Sequence, residues 1–157
     1  IADVFGQEYL LKDGSLDRRK LSDLVFADAE ARRKLESITH PAILRLMWER
    51  LEELRASASP PEAVVLVIPL LFEVGLEDRV DMVVLAWASP EEQLRRLTKR
   101  DNLTEKQAIE RLSAQWPIEQ KKERADRVVN TEMSRDAVRK QVERISMEMK
   151  RVEGRGE

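Results

Sequence analysis

The sequence contains no cysteine, which removes disulfides, thiolate catalysis, iron–sulfur clusters and thiolate zinc sites. Histidine occurs once, as His40, so a catalytic metal would have to be held almost entirely by carboxylates. Glycine is scarce and scattered: Gly6, Gly14, Gly75, Gly154 and Gly156 are isolated, and neither a GxxxxGKS/T nor a GxGxxG phosphate loop is present. No apolar run has the length of a bilayer span, and the opening residues lack the basic start and apolar core of a signal peptide, so a cytoplasmic location is the default expectation. Aromatic residues are 4% of the chain, and Trp48, Trp87 and Trp116 are not spaced as a base-stacking platform. Twenty-eight Lys and Arg against 30 Asp and Glu leave a net charge of −2. No basic excess exists to hold a nucleic-acid backbone, and any anion site must be local.

What is present is a soluble, helix-rich composition: 157 residues, 42% hydrophobic and 37% charged. A chain of that length buries about two-thirds of its unfolded surface and can fold as one domain. The first third reads as helical. Asp17 opens a helix with Leu21, Leu24 and Val25 on one stripe, Asp28 opens a second, and His40-Pro41 is expected to end that one and start a third carrying Ile43, Leu44, Met47, Leu51 and Leu54. After the polar, proline-containing stretch at residues 57–61 the character changes. Residues 63–68 and 82–86 are continuous, β-branched apolar runs, the signature of strands buried on both faces of a parallel sheet. Ser89-Pro90-Glu91-Glu92 and Thr104-Glu105-Lys106-Gln107 read as capping boxes opening two helices, the second with Ala108, Ile109 and Leu112 on one face. Pro117 interrupts that stretch, Val128-Val129 makes a short strand, and Ser134 starts a closing amphipathic helix with Ala137, Val138, Val142, Ile145 and Met149. A polar tail from Arg151 to Glu157 is expected to fray. Strands alternating with helices in this order argue for a doubly wound parallel α/β sheet.

In open α/β sheets, ligands bind at the carboxyl ends of the strands. That rule puts Leu71, Phe72 and Glu73 at the ligand edge after the run at 63–68, although an aliphatic stretch beside a sheet is as readily core. Arg95, Arg96, Lys99 and Arg100 close one helix, Arg111 sits on the next, and Lys121, Lys122 and Arg124 follow Pro117. Each has a bland reading, as a cation complementing a helix dipole or as a solvated side chain. Together they suggest an arginine-bearing helical hairpin that closes over phosphate. His40 stands between Thr39 and Pro41, where capping a helix is the competing explanation.

These residues resemble one family, dephospho-coenzyme A kinase, a P-loop kinase. The resemblance runs through DGSLDRR from Asp13 to Arg19, VFAD from Val25 to Asp28, RKLE from Arg33 to Glu36 with His40-Pro41, PLLFEVG from Pro69 to Gly75, QLRRL from Gln93 to Leu97 with Arg100-Asp101, RLSAQ from Arg111 to Gln115, and Lys121 with Ala125-Asp126. Their order and spacing fit the family from Ile1 to about Val142. The chain departs from the family pattern at Val67 and Trp87, where many members carry Asp, and the usual Asp/Asn-rich stretch near the adenine end reads Asn130-Thr131-Glu132-Met133.

The resemblance implies a P-loop kinase-like doubly wound sheet forming one domain over residues 1–157. Within it lie a helical substrate-binding region at 7–58, sheet core at 63–100 and 125–150, and a helical lid at 101–124. It also implies ATP and Mg²⁺, and transfer of the γ-phosphoryl group to the ribose 3′-hydroxyl of dephospho-CoA, with small molecules rather than nucleic acid or membrane as partners. Arg100 and Arg111 are the implied catalytic residues. His40, Leu71, Phe72, Glu73, Gln115 and Lys121 are the implied acceptor-binding residues, and Arg100 and Asn130 the nucleotide-binding ones. No metal ligand is assigned. The family's first strand, phosphate loop and acidic base would precede Ile1, so the 157 residues alone are expected to be inactive. Two alternatives remain at this point: another small-molecule or nucleotide kinase of the same fold, and a non-enzymatic binding module.

Overall fold

A computed structural model describes residues 1–153 of the chain. It divides into two compact units, Ile1–Val64 and Val65–Glu157. The last four residues of the polar tail lie outside the described residues.

In the first unit a short helical turn, α1 (Ala2–Phe5), precedes a turn in which Leu10 and Leu16 form an isolated antiparallel bridge. Helix α2 (Arg18–Ala27) starts where Asp17 accepts a hydrogen bond from the Lys20 amide, and it buries Leu21 and Val25, as their spacing predicts. Asp28 then caps α3 (Ala29–Arg55) by accepting from the amides of Glu30 and Ala31. The expected break at His40-Pro41 does not occur, and one 27-residue helix runs through Pro41. Proline in a helix interior forfeits one backbone bond and crowds the preceding turn, a cost of about 3 kcal/mol. Twenty-seven residues without a glycine, firmly capped at Asp28, offset that cost by propagation.

The second unit is α/β. Strands β1 (Val84–Trp87) and β2 (Arg127–Asn130) pair in parallel, with Val84 opposite Arg127 and Trp87 opposite Asn130. Parallel neighbours need a crossover, and here it comprises α4 (Pro90–Asp101), α5 (Glu105–Ser113) and α6 (Ile118–Arg124). Helix α7 (Arg135–Glu153) follows β2 and packs on it. Phe72, Leu76, Val83, Ala88, Ala108, Val129 and Ile145 form the buried apolar set of this unit. Ile109 and Val142, expected on inner helix faces, are each 50% exposed.

The run at residues 63–68 is corrected. It belongs to no helix or strand, and Val65 and Val67 are 76% and 87% exposed. Its composition suits a strand buried on both faces, but a strand is defined by its ladder, and among the described residues nothing pairs with this run. The sheet of the described residues therefore has two strands.

The two capping boxes also separate. Thr104 and Gln107 satisfy each other's amides in full. Ser89 accepts from the Glu92 amide, but the reciprocal arm is absent because the Ser89 amide donates to Glu132 Oε1 at 2.6 Å. A residue 43 positions away thus takes the place expected of Glu92.

Candidate active site

Three groups of side chains in the second unit contain the residues singled out by sequence other than His40. The first lies where α4 meets α5. Asn102, in the left-handed region at φ 51°, ends α4 and turns the chain. Immediately before it, Asp101 accepts two bonds from Arg100, at 2.7 and 3.2 Å, and one from Arg111 Nη1 at 3.1 Å. The Arg100 hydrogen bond, helped by the charges of Arg100 and Arg111, holds the Asp101 carboxyl below its ordinary range. The two predicted arginines therefore converge on one carboxylate. Arg100 is largely solvent-exposed, whereas the Arg111 side chain is 24% exposed, held against the α4–α5 junction.

The second group surrounds Glu73, in the turn at residues 69–75. Glu73 Oε1 accepts from the Trp116 amide at 2.8 Å and pairs with Lys121 Nζ at 2.7 Å. Lys121 is buried, as few lysines are unless paired. Beside this pair the Phe72 and Trp116 rings stack, with centroids 6.3 Å apart and planes at 15°. The Arg124 guanidinium covers both rings and reaches Glu77. Phe72 is a buried core residue, Leu71 is half-buried and Gln115 is exposed. The turn does not follow a strand, so the strand-end argument for Leu71, Phe72 and Glu73 fails. What meets Phe72 and Glu73 is the α5–α6 linker, through Trp116.

The third group stands at the carboxyl ends of β1 and β2. Trp87 Nε1 donates to Glu119 Oε1 at 2.8 Å, and Lys122 sits 4.5 Å above the Trp87 ring. Across the ladder, Asn130 Oδ1 accepts from the Glu132 amide, and Gln141 exchanges bonds with the Asn130 backbone. Arg96 donates to the hydroxyl and carbonyl of Thr131, both at 2.8 Å. Arg95 and Arg96 both bind Glu92, and these hydrogen bonds pull its carboxyl down from 4.5 to about 2. A depressed carboxylate contributes stability that is complete above its unfolded value and is lost as pH falls through its folded value. NMR titration of Glu92 should therefore give a midpoint near 2, rising toward 4.5 in Arg95→Ala. A midpoint already near 4.5 in the unmodified protein would show that the pairs do not form.

His40 lies half-buried on α3, in the first unit. In the sequence Asp101 stands out only as part of a motif, and nothing local marks the pairing roles of Trp87, Trp116 and Glu119. The Arg100-Asp101 dipeptide was the one local signal available, since the other pairings cross tens of residues.

The comparisons with known proteins bear on what these groups serve. The family model described as dephospho-CoA kinase matches residues 1–137. The chain belongs to the dephospho-CoA kinase family. It is 43% identical over 142 residues to the dephospho-CoA kinase of Listeria monocytogenes and 44% identical over 142 residues to that of Geobacter metallireducens, in each case 90% of this chain and 70% of the relative. A crystal structure of a Thermus thermophilus protein matches with a TM-score of 0.73 at 35% identity, covering 93% of this chain and 72% of that one. The dephospho-CoA kinase of Campylobacter jejuni matches with a TM-score of 0.60 at 30% identity, covering 95% of this chain and 74% of that one. The α/β architecture of the second unit is accordingly that of a P-loop kinase fold, and the family is one of phosphotransferases.

Proposed function

We propose that the protein transfers the γ-phosphoryl group of ATP to the ribose 3′-hydroxyl of dephospho-CoA, yielding coenzyme A and ADP. The observation that carries this reading is the family match over residues 1–137, which contains the Arg100–Asp101–Arg111 and Glu73–Lys121 groups. In the transfer, the 3′-oxygen bonds to the γ-phosphorus, the bond from that phosphorus to the β–γ bridging oxygen breaks, and the hydroxyl proton is released. Such chemistry rests mainly on positioning and on cations placed where charge develops. Arg111, fixed by Asp101 on a helix of the 101–124 lid, is assigned to the transferring phosphoryl group, and Arg100 and Asn130 to the nucleotide side. His40, on the helical region at 7–58 of the first unit, and Leu71 and Gln115, in the second unit, are each assigned to acceptor binding. The substrates are small molecules, the location proposed is cytoplasmic, and among the described residues no helix is long and apolar enough to cross a membrane.

Mg²⁺ belongs to the proposal as the companion of ATP. Among the described residues no three His, Asp or Glu side chains form a group that could hold a metal. Mg²⁺ ordinarily keeps several waters and is held largely through substrate phosphates.

The test is an acceptor panel. Full-length protein is incubated with MgATP and dephospho-CoA, shikimate or a nucleoside monophosphate, ADP release is followed, and the product is read by phosphorus NMR. Phosphorylation of dephospho-CoA at the 3′-position, far above the other acceptors, is the expected result. A preference for either other acceptor, or no turnover of dephospho-CoA, sinks the reading.

A further inference from the structure

We propose that Glu73 is a positioning residue of the lid. One of its carboxylate oxygens ties the α5–α6 linker and α6 itself to the turn at residues 69–75, and through that tie it sets where Arg111 stands. The inference rests on the lid and the role of Arg111 proposed above, and it replaces direct acceptor contact as the function of Glu73 and Lys121.

The geometry is economical. Glu73 Oε1 receives two donors of different origin, the backbone N–H of Trp116 in the linker and the ammonium of Lys121 on α6. The two charged side chains are 15% and 7% exposed, so little of either group is open to a ligand. A buried lysine that lost its partner would remain as an uncompensated charge, which makes the pair hard to break for substrate binding. Packing reinforces charge at the same point, because the Phe72 ring, next in sequence to Glu73, stacks on the Trp116 ring. Trp116 follows Arg111 by five positions, and five residues span at most about 17 Å even fully extended. Arg111 is also bonded to Asp101. It therefore stands between two anchors, Asp101 on one side and Glu73 on the other. A cation that stabilises developing charge is effective in proportion to how little it must move to do so, and misplacement by about 1 Å can cost roughly 10²-fold in rate.

Glu73→Gln preserves shape and leaves an amide oxygen for the Trp116 N–H, but removes the charge facing Lys121. In full-length protein, kcat for dephospho-CoA should fall by about 10- to 100-fold while the KM values for dephospho-CoA and ATP stay within about twofold. Added to Arg111→Ala, Glu73→Gln should lower kcat little further, because both changes act on the same contact. Amide exchange, which needs no activity, should quicken at Trp116 and across residues 105–124 and remain unchanged in β1 and β2. If Glu73→Gln does not fold, Glu73→Gln with Lys121→Met, which buries no unpaired charge, is measured in the same way. A raised dephospho-CoA KM with unchanged kcat would make Glu73 an acceptor ligand and overturn the inference, as would full multiplicativity with Arg111→Ala or unaltered exchange at Trp116. Failure of the wild-type protein to use dephospho-CoA indicts the proposed function, whereas unaltered exchange indicts the anchor.

Discussion

Arg111→Ala in the full-length protein should lower kcat/KM for dephospho-CoA phosphorylation by about 10²–10³-fold, the equivalent of roughly 2.7–4 kcal/mol of transition-state stabilisation. The size follows from removing one preorganised, charge-assisted contact at the transferring phosphoryl group. The effect on folding should be small. The Arg111–Asp101 pair has side chains 24% and 26% exposed and shares Asp101 with Arg100. Because Asp101 keeps Arg100 as a partner when Arg111 is removed, no unpaired carboxylate is left, and the melting temperature should shift by only a few degrees. Arg111→Lys keeps the charge but not the planar fork and should fall between the two proteins. A variant with wild-type kcat/KM and a lowered melting temperature would reduce Arg111 to a structural partner of Asp101.

Phe72→Ala should produce the largest loss of stability, about 3–5 kcal/mol in a denaturant titration, the cost of vacating a buried aromatic site. Phe72 is 4% exposed, stacks on Trp116 and lies beneath the Arg124 guanidinium at 5.8 Å. Against the 5–15 kcal/mol that holds a typical domain together, about 4 kcal/mol is a large fraction. The change should appear as a lower midpoint at unchanged slope, since the surface exposed on unfolding stays nearly the same. A loss under about 1 kcal/mol would mean that the ring is not packed as described and would free Phe72 for the acceptor-facing role. This outcome also bears on Glu73, whose tie to Trp116 runs alongside the same ring pair.

Local features were legible in the sequence wherever the responsible residues are neighbours. Asp17, Asp28, Ser89 and Thr104 were identified as helix starts, and each cap is present, because a capping bond joins residues two or three positions apart. The family was legible too, since its motifs are short and occur in a fixed order. Pro41 reads locally as a helix break because its penalty of about 3 kcal/mol is local, whereas the 27-residue helix that absorbs it is not. The run at 63–68 misled because apolar β-branched composition reports a preference for strand, whereas pairing depends on a second segment that composition does not name.

The sequence by itself determined the caps, the buried stripe positions Leu21, Val25, Ala108 and Ile145, the two paired strands within a residue or two, and membership of a dephospho-CoA kinase family. Only the tertiary structure decided which charges meet. Glu73 finds Lys121 across 48 positions, Trp87 finds Glu119 across 32, and the Ser89 amide finds the Glu132 carboxylate across 43. Every one of these glutamates had several cations or amides within sequence reach, and electrostatics alone does not choose among them. The choice is made by the parallel pairing of β1 with β2 and the crossover that pairing requires, which bring α6 and the linker before it back to the sheet and to the 69–75 turn.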